Sequence, residues 1–144
     1  MIDMTLKDLA KKVADIDFTM LTTRAENGEL GARPMSNNGD VEYDGDSFFF
    51  TWESSRMVAD IKRDPKVGLS LQGKNHLLGK PPFFVSIEAR AELIRDKATL
   101  TKHWKPEFER WFKQGVDTPG IVLIKAHAQR IEWWDGEEEG VVKV

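Results

Sequence analysis

Ser54, Ser55 and Arg56 stand between two runs of different character. Before them lies Ser47–Thr51, short and aromatic, bounded by the turn residues Asp44-Gly45-Asp46; that pattern predicts a buried strand. After them, Met57, Val58 and Ile61 recur on one helical face until Asp64-Pro65 stops the helix. A strand that feeds a helix through a Ser-rich turn leaves backbone N–H groups unpaired at the helix start. Two hydroxyls and a guanidinium in the same place make an outline of a phosphate site. A Ser before a helix also serves as a plain cap, and an Arg in a first turn is often simply solvated.

Arg33, in Ala32-Arg33-Pro34-Met35-Ser36, is the second candidate. Its strand is expected to neighbour the Phe48–Thr51 strand, because consecutive strands usually pair. Arg33 then converges on the turn that holds Ser55 and Arg56, and two guanidiniums beside a helix N-terminus suit a phosphate dianion. Other chemistry is not legible. His76, His103 and His127 lack metal-ligand spacing, so no metal is expected. No nucleophile–base motif, Walker loop or Gly-x-Gly-x-x-Gly occurs. Glu107 and Glu109 read as a solvated helix face.

These residues must be positioned by the rest of the chain. Thr5–Ala14 reads as a helix, with Thr5 as cap, Asp8 three residues on, and Leu6, Leu9, Ala10 and Val13 as its apolar face. Phe18–Arg24 and Leu30–Ser36 read as a hairpin around Asn27-Gly28. Pro34 predicts an edge position. A loop spans Asn37–Asp46. Val67–Gln72 and Phe83–Ile94 are further strands, joined by a loop over Gly73–Pro82; Val85, Ile87, Ala89, Ala91 and Leu93 share one face of the longer strand. Asp96–Phe112 is helical in tendency and interrupted at Pro106. Ile121–His127 and Gln129–Trp134 are two closing strands. The acidic tail, about 136–144, is expected to be mobile. Hairpin-like succession with about three helices favours a mainly β fold, an antiparallel barrel with helices outside, over a doubly wound parallel sheet.

Composition sets the outer limits. The 144 residues suit one domain, 1–144, rather than two. The formal charge of −3 argues against non-specific nucleic-acid binding. With no cysteine, disulfides and thiolate metal sites are excluded, and a reducing compartment fits. No secretory signal or membrane-length apolar run is seen, so the expected location is cytoplasmic with no membrane association.

ARPMS, FFFT-x-x-S-S-R, Asp64-Pro65-x-Val67, VSIEARAELIRD and W-x-x-x-x-E-x-WF-x-x-G-x-D-x-P occur here in order. Together they resemble the general-stress-protein branch of the pyridoxamine 5′-phosphate oxidase-like family, over roughly Leu9 to Asp135. The resemblance implies a split β-barrel, Greek-key-like in its strand order, that forms a homodimer with FMN at the subunit interface. It places Arg33 near the flavin phosphate and ribityl chain, and Pro34, Met35 and Ser36 along the ring. Phe50 and Thr51 would contact the flavin, and Ser55 and Arg56 would hold the phosphate. Gln72 is a further contact by the same resemblance. Met57 stands where many relatives carry Lys, which puts more of the phosphate binding on Arg33, Ser55 and Arg56. Trp104 and Trp111 are candidates to cover the ring from the partner subunit, although packing of the helical region is the simpler role for both. The chain closes on Glu-Gly-Val-Val-Lys-Val, without the Arg-rich segment of classical pyridoxamine-phosphate oxidases. The resemblance therefore implies flavin binding, with FAD as a second choice, more than that oxidation. A flavin-dependent oxidoreductase of unidentified substrate, a flavin-binding protein without turnover, a true pyridoxamine-phosphate oxidase, against which the missing segment weighs, and a barrel acting as an interaction protein are the readings that stay open.

Overall fold

The computed structural model describes residues 3–37, 41–76 and 78–144. The expected loops at 37–46 and 73–82 include positions 38–40 and 77, which lie outside the described residues. In chain order the elements are α1 (Leu6–Val13), β1 (Phe18–Arg24), β2 (Leu30–Ser36), β3 (Asp46–Trp52), α2 (Arg56–Arg63), β4 (Lys66–Gln72), β5 (Phe84–Ile94), α3 (Lys97–His103), β6 (Ile121–Asp135) and β7 (Glu138–Val142). Two 3-10 segments, Pro106–Arg110 and Gly115–Asp117, connect α3 to β6.

Local chemistry accounts for the starts and stops. Thr5 and Asp8 form a reciprocal capping box on α1, each side chain accepting from the other's backbone N–H at 3.1 Å. At the β1–β2 turn Gly28 takes φ +85°, a conformation open to glycine, and Asn27 Oδ1 accepts from the Glu29 N–H. Asp96 caps α3 through the Thr99 N–H. The helix then ends at His103, three residues before Pro106, and the segment after it is 3-10 rather than α.

All strand pairs are antiparallel, in the order β2-β1-β4-β5-β6-β3, with β7 pairing the end of β6 on the side away from β5, beyond the stretch that β3 occupies. Pro34 sits on the edge strand β2, where its missing N–H breaks no ladder on the free side. Two expectations change here. β2 does not pair with β3; β2 pairs only with β1, while β3 crosses the sheet to pair with β6 from Asp46↔His127 to Trp52↔Ile121. The two predicted closing strands are one, β6. Between them Gln129 is a bulge, because Glu88 pairs with Arg130 and the next residue, Ala89, with Ala128.

The inward faces follow the period of two. Thr19, Leu21 and Thr23 of β1, and Val85, Ile87, Ala89 and Ala91 of β5, point into the core. Leu21, Leu69, Ile124 and Ile131 are fully buried, each contributing about 1.5–3 kcal/mol. α2 lays Met57, Val58 and Ile61 against this core.

The acidic tail is the third correction. Residues 138–142 form β7, in register from Asp135↔Glu138 to Ile131↔Val142, and Val142 is buried. Gly136 at φ +64° opens the two-residue turn that makes the hairpin. Trp133 lies across from Gly140, and a Cβ at position 140 would meet its ring at 2.9–3.0 Å. Gly140→Ala is therefore expected to lower the unfolding free energy by about 1–3 kcal/mol through overpacking, read as a lower urea midpoint at unchanged slope. An unchanged midpoint would mean that the indole moves aside freely.

Candidate functional site

The strand-to-helix turn at 52–56 is pinned from several sides. The Ser55 N–H donates to the Trp52 carbonyl at 2.9 Å, and the Glu53 N–H to the Gly120 carbonyl at 2.6 Å. The Glu53 carboxylate pairs with Arg95 and with Lys62. The Arg95 hydrogen bonds hold its pKa down to about 2. The turn thus presents Ser54, Ser55 and Arg56 on a fixed frame.

Ser55 is the N-cap of α2; its hydroxyl oxygen accepts from the Val58 N–H at 3.2 Å, which leaves its proton free to donate outward. The first turn of α2 holds no acidic residue. Arg56 is exposed and makes no ion pair among the described residues. Helix-start amides, two serine hydroxyls and a solvated guanidinium therefore face outward together.

Arg33 reaches the same corner by a different route from the expected one. Its side chain crosses β1 rather than meeting β3. Nη1 donates to the Leu21 carbonyl at 3.2 Å, to Thr23 Oγ1 at 2.7 Å and to the Gly31 carbonyl at 3.1 Å. Nη2 lies 4.0 Å from Oδ2 of Asp60 on α2. Burial lowers the Arg33 pKa, Asp60 opposes that, and the Arg56 charge adds to the lowering. Arg33 and Arg56 thus sense each other, although β2, which carries Arg33, and β3, which leads into α2, lie at opposite ends of the strand order.

Asp60 is the residue the sequence reading missed. It is only 2% exposed. Thr23 Oγ1 donates to it at 2.8 Å and Arg63 at 2.9 Å. Burial pushes its pKa up, but the Thr23 and Arg63 hydrogen bonds and the Arg56 charge outweigh burial, and the net shift is downward. Its signal was present: Arg56, Asp60 and Arg63 recur at i, i+4 and i+7, with the acid between two bases beside the apolar face.

The remaining predicted residues are dispersed. On β2, Arg33 and Met35 face inward while Pro34 and Ser36 face out. Thr51 is buried on the inner face of β3. Phe50 points the other way, into a cluster with Trp104 at 5.2 Å, Phe108 at 5.4 Å and Phe112 at 6.4 Å between ring centroids. Met57 is a core residue, 5% exposed. Gln72 lines a shallow depression of ≈ 490 Å³ on the outer sheet face, with Phe18, Met20, Phe84 and Trp134. Trp104 packs in the aromatic cluster as expected, whereas Trp111 is 62% exposed and takes no part in core packing. His103 stacks on Phe48, and His127 pairs with Asp46. Among the described residues no three His, Cys, Asp or Glu groups cluster for a metal. Nor is any described helix long and apolar enough to cross a membrane.

The family model for pyridoxamine 5′-phosphate oxidase-like proteins matches residues 4–144. The chain belongs to that family. It is 27% identical over 112 residues to the protein bli-3 of Neurospora crassa, a match covering 77% of this chain and 51% of that one, so the chain spans about half the length of this relative. Its fold is similar to that of a Clostridium acetobutylicum protein related to general stress protein 26 of B. subtilis, with TM-score 0.80, 20% identity, and 96% and 94% of the two chains covered. It is also similar to the general stress FMN/FAD binding protein of Xanthomonas citri, with TM-score 0.75, 22% identity and the same coverages. The architecture is the antiparallel split barrel of this family.

Two variants test the buried pair. Arg33→Ala leaves Asp60 with fewer partners and is expected to cost about 1–3 kcal/mol in urea unfolding. For Asp60 the folded pKa lies below the unfolded one. Its stabilisation is therefore complete above roughly pH 4 and is lost as pH falls through the folded value. The stability gap between wild type and Asp60→Asn should accordingly narrow below about pH 4. A gap that stays constant down to pH 3 would show that folding does not lower the Asp60 pKa.

Proposed function

We propose that this chain binds FMN as a homodimer, with the flavin phosphate at the start of α2. The observation that carries the reading is the outward-facing donor set there: the Ser55 hydroxyl, the first-turn amides of α2, and the free guanidinium of Arg56, with no acid in that turn. Three guanidiniums, on Arg33, Arg56 and Arg63, surround the one buried carboxylate of Asp60, so the corner carries net positive charge. That chemistry fits a phosphate dianion. The family membership supports the choice of a flavin.

Within this reading the roles differ from a symmetric two-arginine clamp. Arg56 contacts the phosphate directly. Arg33, three of whose hydrogen bonds go to the protein, supports the corner by charge and by fixing β2 against α2. Pro34 and Ser36, exposed on β2, line the way for the ribityl chain and ring, with Met35 behind; Phe50, packed in its aromatic cluster, and Thr51, buried on the inner face, offer it backbone only. Met57 contributes its backbone N–H rather than its side chain. Bound flavin would supply the electron-transfer chemistry; the protein would orient it and exclude water. No side chain here is assigned as a general acid or base. The reading covers both a flavin-dependent oxidoreductase and a flavin carrier without turnover, and a steady-state rate with a reductant separates the two.

The dimer reading rests on the outer sheet face. Phe18 is 59% exposed, Met20 41% and Phe84 38%, all on one depression beside Gln72. An apolar patch of that kind suits an isologous contact. In a dimer Gln72 would lie in the interface, which explains its distance from the α2 corner.

Titration of the purified protein with FMN, followed by absorbance and fluorescence, tests the first reading. Saturable binding with one flavin per subunit is expected. Arg56→Ala should weaken it by about 1.5–3 kcal/mol, the worth of a hydrogen bond to a charged group. Equal affinity in wild type and variant would remove Arg56 from the phosphate site. Phe84→Glu should shift the sedimentation coefficient from dimer to monomer and release flavin. A dimer that persists at the same strength would place the interface elsewhere.

A further inference from the structure

One buried acid stands beside the start of α2. Asp60 lies on that helix, one turn beyond Arg56. Both of its oxygens are engaged by the protein: Oδ2 accepts from Thr23 Oγ1 at 2.8 Å, and Oδ1 accepts from Arg63 at 2.9 Å. Nη2 of Arg33 stands 4.0 Å from Oδ2. At a rise of about 1.5 Å per residue, the Asp60 backbone is roughly 6–8 Å from the helix start. A buried charge is screened little by salt, so its field reaches that far. Met57, the residue after Arg56, is buried and apolar and adds no cation to offset it.

The two guanidiniums beside Asp60 depend on it to different degrees. Arg33 keeps its bonds to the Leu21 carbonyl, the Thr23 hydroxyl and the Gly31 carbonyl without any help from the acid. The bare backbone of Gly31, where a Cβ would lie 3.4 Å from Nη2, lets the guanidinium fold back onto β2. Arg63 is held by Asp60 itself, about 10 Å along the helix from Arg56 and too far to share its ligand. An Asn at position 60 keeps an oxygen for the Thr23 hydroxyl, and Met57, Val58 and Ile61 still anchor the inner face of α2. Asp60→Asn therefore removes the charge while the frame of the corner stays.

We propose that Asp60 is a specificity-determining residue of the phosphate corner: its carboxylate opposes a ligand at the start of α2 in proportion to that ligand's negative charge, and so limits the preference for a phosphorylated over an unphosphorylated flavin. The inference rests on the reading of α2 as the phosphate site. Riboflavin, which is neutral, feels almost none of the field. Two unit charges about 8 Å apart, at an effective dielectric constant of about 40–80, oppose each other by a factor of about two to six in affinity, and a dianion by about five- to thirtyfold. The fold thus needs the acid that the ligand works against, and stability and affinity pull in opposite directions at one position.

The test is a pair of titrations of the whole chain near neutral pH and at one salt concentration, with FMN and with riboflavin. Wild type is expected to prefer FMN. Asp60→Asn should bind FMN about five- to thirtyfold more tightly with riboflavin unchanged, although its urea midpoint falls. Arg63→Gln leaves the Asp60 charge less compensated and should lower the preference for FMN about two- to fivefold; it also serves if Asp60→Asn does not fold. A residue that only holds the fold together would move both flavins alike or weaken FMN. An FMN preference that is unchanged or lower in Asp60→Asn, or unchanged or higher in a folded Arg63→Gln, would overturn the proposal and leave the flavin reading standing. Equal affinity of the wild type for the two flavins would remove the phosphate from this corner and overturn both.

Discussion

A carboxylate with almost no solvent contact sits on the inner side of α2, and much of this structure follows from keeping it satisfied. Unpaired, the Asp60 charge would be too costly to bury. Thr23 from β1, Arg63 from its own helix and Arg33 from β2 converge on it. The convergence ties an edge strand, its neighbour and a helix into one unit. It also fixes the rotation of α2 about its axis, and with it the direction in which Ser55 and Arg56 face. One negative charge among three guanidiniums leaves a surplus of positive charge beside a helix start. The same arrangement that stabilises the fold locally thus leaves positive charge beside the start of α2, where the proposed phosphate would sit.

The sheet supplies the rest of the setting. β2 and β3 end its strand order, and both carry residues assigned to the flavin. A barrel closed between these strands would have consumed their edges in hydrogen bonding. Here β2 keeps one backbone edge unpaired among the described strands, while the aromatic side chains of β3 are taken up by the core and by the 103–112 segment. The outer face exposes Phe18, Met20 and Phe84 together, and the proposed dimer would cover them.

Local features of this fold were legible in the sequence. The capping box of α1, the Asn27-Gly28 turn, the edge position of Pro34 and the stop at Asp64-Pro65 all rest on neighbouring residues, and they appear where the sequence places them. Partner choice was less legible. β2 and β3 are consecutive, yet the outward Phe48 and Phe50 pack on the 103–112 segment, and β6 supplies the ladder. Three consecutive Glu residues made the tail look solvated, whereas Asp135-Gly136 was a hairpin signal and Val142 an inward position. The anion corner was visible in its serines and Arg56. Its organising acid was not, because an Asp on a short amphipathic helix reads as surface until the strands behind it are known.

The pairing of β3 with β6 also governs how the chain emerges from a ribosome. β3 occupies 46–52 and its partner 121–127. At synthesis rates of about 5–20 residues per second, the Phe48-Phe49-Phe50 strand waits roughly 4–15 s for its partner to be made. During that interval three adjacent phenylalanines lack the strand that will shield them, while β1 and β2 already have each other. The nascent chain is thus most exposed to self-association at β3, and that hazard persists until the last third of the protein has been translated.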